Sequence, residues 1–146
     1  MNTERAATNG KASPELEAEL MEVAKDIAAI TWELKALNTV VIDLRGRVSY
    51  TDFVIITTGT SERHVAAIAR SVDDEMREAG RPPMGTEGLE HGQWALLDYG
   101  DMIVHVFNKN ARKEYDLERM WSEAPRLELE DKPEDLYGHF EVEDFT

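Results

Sequence analysis

FVIITTGTSERHVAAIARSVDDEMREA, Phe53 to Ala79, changes its hydrophobic period partway along, and that change decides the fold. Phe53 to Thr58 is short, β-branched and almost continuously apolar, the pattern of a central strand covered on both faces. Gly59-Thr60-Ser61 ends the strand and opens a helix. From there Val65, Ile68, Val72, Met76 and Ala79 recur at helical spacing, and Gly80 terminates the run.

Upstream, Thr39 to Leu44 (TVVIDL) has the same central-strand character, and Arg45-Gly46-Arg47 marks a turn between the two strands. Further upstream, Ser13-Pro14-Glu15 supplies an N-cap, a proline at the first helical position and a first-turn acid. Leu16, Leu20, Val23, Ile27, Ile30, Leu34 and Leu37 then alternate steps of four and three. Such a stripe suits either a coiled-coil seam or a helix lying on its own sheet. The run is short and a strand follows at once, which favours the sheet.

Downstream, Arg81-Pro82-Pro83 breaks the chain, and Thr86 to Gly92 reads as a glycine-spaced loop or a short edge strand. WALLDYGDMIVHVF, Trp94 to Phe107, reads as a hairpin, and Ala111 to Trp121 as a last helix. A strand leading through a helix to further strands implies a right-handed crossover. The order predicts an α/β (α+β) layered domain with a mixed β-sheet and flanking helices. The domain spans residues 14–121, after an N-terminal extension (1–13) and before an acidic tail (122–146) in which Leu136, Tyr137, Phe140 and Phe145 offer docking points.

The 146 residues contain no cysteine, which excludes disulfides, thiolate metal sites and a cysteine nucleophile. No apolar run approaches the roughly 20 residues of a membrane span, and MNTERAATNGKAS has neither a signal-peptide core nor a transit-peptide arginine bias, so a cytoplasmic location is expected. The net charge of −14 disfavours direct binding to nucleic acid and favours a basic partner. Half of that excess sits in residues 122–146, which hold nine acids and two bases. That tail serves solubility or attracts a basic partner.

Catalytic patterns fare poorly. TGTSERH places a glycine turn at a helix N-terminus, but it lacks the P-loop lysine and the dinucleotide glycines, so Thr60 or Ser61 reads as an ordinary cap. Metal-dependent nucleotidyl transfer needs carboxylates carried on one strand. The acids that follow Ser61, namely Asp73, Asp74 and Glu75, are helical, while Asp98 and Asp101 flank a turn without a third carboxylate. His64, His91, His105 and His139 fall in no metal-ligand spacing, and His64 is expected to face solvent or cap locally. No metal, cofactor or catalytic residue is expected.

With Tyr99-Gly100 as the turn, Asp98 pairs with Asp101, Leu97 with Met102, Leu96 with Ile103, Ala95 with Val104 and Trp94 with His105. One face then carries Ala95, Leu97, Met102, Val104 and Val106, all suited to a core. The other mixes Trp94, Leu96, Ile103, His105 and Phe107 with Asp98 and Asp101. Directly opposed aspartates repel unless a cation lies between them. Periodicity leaves two readings of this face open, a docking surface or a face covered by a helix.

VVIDLRGRVSYTDFVIITTGTSERHVAAIA, EGLEHGQWALLDYGDMIVHVF and YDLERMW, in that order, resemble the signature blocks of the ribosomal silencing factor (Iojap-like) family over about Lys35 to Trp121. The resemblance implies a nucleotidyltransferase-like fold without the catalytic carboxylates. It also implies binding to a large-subunit ribosomal protein, number fourteen in the universal naming, which blocks subunit joining and represses translation. Onto the matching positions it carries a partner-binding role for Trp94, Leu96, Asp98, Tyr99, Gly100, Asp101 and His105, and more weakly for Asp52, which otherwise fixes the turn before its strand. The acidic tail is expected to exceed the family pattern. A metal-dependent nucleotidyltransferase and a homodimer that buries its own docking face are the alternatives.

Overall fold

The computed structural model describes residues 13–90 and 92–129. Helix α1 (Pro14–Glu33) begins where the capping signal lies, with Ser13 Oγ accepting the Leu16 N–H at 3.1 Å. Its buried face carries Leu20, Ala24, Ile27, Ala28 and Ile30 and packs on the sheet and on a second helix, as expected of a helix lying on its own sheet. The helix caps at Leu34, so Leu37, expected to continue the stripe, instead opens the first strand.

Five strands form one mixed sheet: β1 (Leu37–Asp43), β2 (Phe53–Gly59), β3 (Gly85–Glu87), β4 (Trp94–Asp98) and β5 (Met102–Asn108), in spatial order β1-β2-β5-β4-β3. β2 and β5 run parallel, and every other neighbouring pair is antiparallel. Every residue of β2 is buried, as its unbroken apolar run requires of a strand paired on both edges and covered on both faces. Helix α2 (Glu62–Glu78) follows β2 and buries Val65, Ile68, Ala69, Val72 and Met76. The Gly80 N–H donates to the Arg77 carbonyl and the Arg81 N–H to that of Met76, the Schellman closure that the terminal glycine signals.

Strand alternation splits the core into two layers. Val41, Phe53, Ile55, Leu97, Val104 and Val106 face α1 and α2. Ile42, Val54, Ile56 and Phe107 face the opposite way, against Ala111, Leu117 and Trp121. At the β1 end a register shift between Leu37 and Val40 coincides with Asn38 at φ 53°. Beside it the hydroxyls of Thr31, Thr39 and Thr57 form a buried chain, 2.9 Å and 2.6 Å apart, closed by Thr31 donating to the Ala28 carbonyl at 2.7 Å.

The single last helix expected over Ala111 to Trp121 is two short ones, α3 (Lys109–Tyr115) and α4 (Leu117–Met120). Asp116 separates them in the left-handed region, φ 45° and ψ 52°, a conformation that Asp tolerates better than most side chains. Residues 125–129, expected to belong to the tail, lie along β1. The Asp43 N–H donates to the Pro125 carbonyl at 2.8 Å, the Leu127 N–H to the Val41 carbonyl at 2.9 Å, and Leu129 is buried. They occupy the outer edge of β1, which otherwise presents unpaired backbone groups. Residues 1–12, His91, and the tail from 130 onward, with His139 and the four tail docking points, lie outside the described residues.

Candidate docking face

The hairpin turns one residue later than the sequence suggests. The Tyr99 N–H donates to the Met102 carbonyl at 2.8 Å, and the ladder pairs Asp98 with Ile103, Leu97 with Val104, Leu96 with His105, Ala95 with Val106 and Trp94 with Phe107. Each partner is displaced by two from the expected pairing. An even displacement preserves alternation, so both faces keep their membership.

Asp98 and Asp101 therefore do not oppose each other across the ladder, and the expected repulsion between paired aspartates falls away. Asp98 Oδ1 instead accepts the Gly100 N–H at 2.8 Å, an Asx turn that fixes the bend. The Asp101 carbonyl accepts the N–H groups of Asp52 and Phe53 at 3.0 and 3.1 Å, tying the hairpin tip to the start of β2. Gly100 sits at φ 82°, where a side chain would be strained.

The open face is a ridge of rings and aliphatic groups on β4 and β5. Trp94 lies with its centroid 4.5 Å from Tyr115, 5.1 Å from Phe107 and 5.8 Å from His105, and His105 stacks on Phe107 at an interplanar angle of 6°. Trp94, Leu96 and Ile103 are partly exposed, whereas Phe107 is fully buried beneath them. Tyr115, 50% exposed, comes from α3. Asn108 caps that helix through Oδ1, which accepts the Ala111 N–H at 2.7 Å, so α3 starts directly at the end of β5 and turns back over its rings. A helix thus covers part of Trp94 and leaves the rest open.

The Trp94 indole N–H reaches His105 Nδ1 at 3.0 Å. Indole only donates, so Nδ1 accepts and the imidazole proton resides on Nε2. His105 is 7% exposed, and burial pushes its pKa down to about 4. Gly88 supports the start of β4: it has φ 73°, and a Cβ there would lie 2.1 Å from the Trp94 carbonyl oxygen.

The other candidates take different positions. Tyr99 packs against the helix-covered core, where burial and then the Asp73 charge raise its pKa. Asp52 is buried at the base of the hairpin tip. Arg112, on α3, is buried and was not singled out from the sequence. It donates through Nε and Nη2 to both carboxylate oxygens of Glu118 at 3.0 Å, and through Nη1 to Thr58 Oγ1 at 2.9 Å. Burial alone would raise the Glu118 carboxyl, but the hydrogen bonds and charge of Arg112, with the charge of Arg126, outweigh it and hold the pKa below the usual value.

At the TGTS turn Ser61 is the helix cap, as its position suggested, and Oγ accepts the His64 N–H at 3.0 Å. His64 does more than cap locally. Its Nδ1 accepts the Thr60 N–H at 2.9 Å, so Nε2 carries the proton and donates to the Leu34 carbonyl at 2.6 Å, joining the end of α1 to the start of α2. Among the described residues no three His, Asp or Glu side chains are grouped to hold a metal ion, and no helix is long and apolar enough to cross a membrane.

These features define a small mixed-sheet α/β protein that carries an aromatic face on one hairpin. The chain belongs to the ribosomal silencing factor family: the family model described as "Ribosomal silencing factor during starvation" matches residues 17–143. That match runs well beyond Trp121, so the family pattern includes most of the tail expected to exceed it. The chain is 41% identical over 96 residues to "Ribosomal silencing factor RsfS" of Halalkalibacterium halodurans, covering 66% of this chain and 82% of that protein. It is 35% identical over 108 residues to the Bacillus subtilis protein of the same name, covering 74% and 92%. A crystal structure of a Chromobacterium violaceum protein superposes with a TM-score of 0.68 at 32% identity, covering 77% of this chain and 92% of that one.

Proposed function

We propose that this chain binds the large ribosomal subunit through a basic ribosomal protein, number fourteen in the universal naming, and that its bulk then blocks association of the small subunit, repressing translation. The observation that carries this reading is the ridge of Trp94, Leu96 and Ile103. A fully buried Phe107 supports it, Tyr115 flanks it, and Asp98 and Asp101 lie at its tip. Partly exposed aromatic and aliphatic groups beside charge are the composition of a protein-binding hot spot. A net charge of −14 steers the chain towards a basic protein and away from the surrounding phosphates. Family membership supplies the ribosome as the target.

In this reading Trp94 and Leu96 make the central contacts and Asp98 and Asp101 meet basic side chains, while Tyr99, Gly100 and Asp52 hold the hairpin tip in shape. Steric exclusion requires no catalytic group. Sedimentation of the purified chain with isolated large subunits, with assembled ribosomes, and with large subunits before small ones are added tests it. The expected results are binding to the free large subunit, no binding to the assembled ribosome and impaired joining. Trp94→Ala is expected to abolish these effects while leaving unfolding cooperative. Equal binding to assembled ribosomes, or undiminished binding by Trp94→Ala, would sink the assignment.

A further inference from the structure

We propose that His105 is the positioning residue of this face: from beneath the surface it fixes the Trp94 indole in one orientation by accepting its N–H, without itself touching the partner. The inference rests on the docking reading above and assigns His105 a role distinct from contact.

The ladder pairs Trp94 with Phe107 and Leu96 with His105, so Trp94 and His105 are diagonal cross-strand neighbours on one face. From that diagonal, Nδ1 lies 3.0 Å from the indole nitrogen. The imidazole is itself held by parallel stacking on fully buried Phe107 and is 7% exposed, so little of it is left for an incoming protein to touch. Its burial also favours the neutral ring, and only a neutral ring with an unprotonated Nδ1 can accept.

The consequence for binding follows from desolvation. A partly exposed indole with its N–H in water must surrender that hydrogen bond when a partner covers it, unless the partner supplies an acceptor in register. Here the only polar atom of the side chain is already satisfied within the protein. Docking then removes hydrocarbon from water and leaves no donor unpaired, and the ring is ordered before the encounter. Tyr115, with its centroid 4.5 Å from the indole and 6.3 Å from Phe107, adds a second ring contact that holds the indole in place.

The test uses the full chain, the variants His105→Leu, His105→Asn and Trp94→Ala, and isolated large ribosomal subunits as the binding probe. Asparagine presents Oδ1 from the same Cβ–Cγ geometry that carries Nδ1, so it retains an acceptor, whereas leucine does not. Two quantities are read: affinity for the subunits, and the indole N–H resonance of Trp94 in the free protein, assigned by its loss in Trp94→Ala. His105→Leu is expected to move that resonance to its solvent-exposed position and to weaken binding roughly tenfold, the scale of one lost hydrogen bond. His105→Asn is expected to recover much of both.

Full binding by His105→Leu alongside loss of binding by Trp94→Ala would overturn the positioning role and leave the docking reading intact. Full binding by Trp94→Ala would remove the docking reading and this inference with it. Should His105→Leu fail to fold, His105→Asn decides: the inference requires a hydrogen-bonded indole and substantial binding, and loss of either overturns it.

Discussion

The Trp94 indole N–H and His105 Nδ1 meet at 3.0 Å, which commits a buried histidine to its neutral form. Burial lowers the pKa of that ring from 6.5 to about 4. Between those values the unfolded chain binds a proton that the native chain refuses. The stability associated with His105 is therefore complete above the unfolded value and is lost as the pH falls towards the folded one, by on the order of 3 kcal/mol across the window. Urea unfolding at a series of pH values is expected to show this decline, and the difference between wild type and His105→Asn isolates it. A wild-type and variant pair with parallel pH profiles would contradict it. Glu118 contributes separately: its carboxyl is held below the ordinary value of 4.5, so its share is present above that pH and is lost only at more acidic pH.

Arg112 links three elements, with a two-pronged contact to Glu118 and a third bond to Thr58 at the end of β2. Arg112→Leu removes the fork to the half-buried Glu118 carboxylate, which keeps Arg126 at 3.6 Å, and the bond to the Thr58 hydroxyl, a loss of about 2 kcal/mol. Lysine keeps the charge but cannot form the fork and reach Thr58 together, so Arg112→Lys is expected to recover only part of the loss. Chemical denaturation checks both, and a neutral Arg112→Leu would show that the α3–α4 break is held by packing alone.

Thr39 is the middle link of a chain in which Thr57 donates to Thr39, Thr39 to Thr31 and Thr31 to the Ala28 carbonyl. Thr39→Val keeps the shape and removes both hydroxyl contacts, leaving the Thr57 hydroxyl only its longer bond to the Leu37 carbonyl at 3.4 Å. A cost of about 2 kcal/mol is expected, with the Thr39→Val, Thr57→Val pair costing less than the sum of the two single changes, because the double change strands no group between those two residues. Additive losses in a double-mutant cycle would deny the coupling.

The legible parts of this chain were those written in local chemistry. Ser13-Pro14, Ser61 and Gly80 marked helix ends that the backbone obeys, and the unbroken apolar run of Phe53 to Thr58 marked a strand buried on both sides. The hairpin faces were legible because alternation survives an even displacement, although the register itself was not. Asp98 decides the register by capping Gly100, a choice between two adjacent turns that the string DYGD leaves open. The break at Asp116 was hidden because helical periodicity continues across it. Its stabilising partner, the Arg112–Glu118 fork, is a contact between side chains six residues apart. Tyr115 could be assigned to a family block, but nothing in its spacing says that α3 turns it back onto Trp94. Such contacts are products of packing rather than of pattern.

Trp94 and Phe107 are cross-strand partners, with centroids 5.1 Å apart, yet they stand on opposite sides of the boundary between core and surface. Phe107 is fully buried against Ile42, Val54, Ile56 and Ala111, so Phe107→Ala removes transfer energy and opens a cavity, a loss of about 3 to 5 kcal/mol. Trp94 is partly exposed and rests on Phe107 and Tyr115, so truncating it strips one side of the ridge without hollowing the sheet. Trp94→Ala is expected to cost about 1 to 2 kcal/mol, well short of Phe107→Ala, and to unfold in one cooperative transition. Differential scanning calorimetry of the two variants gives the order directly. Should Trp94→Ala prove as damaging as Phe107→Ala, Trp94 belongs to the core, and weaker subunit binding by that variant would reflect lost folding rather than a lost contact.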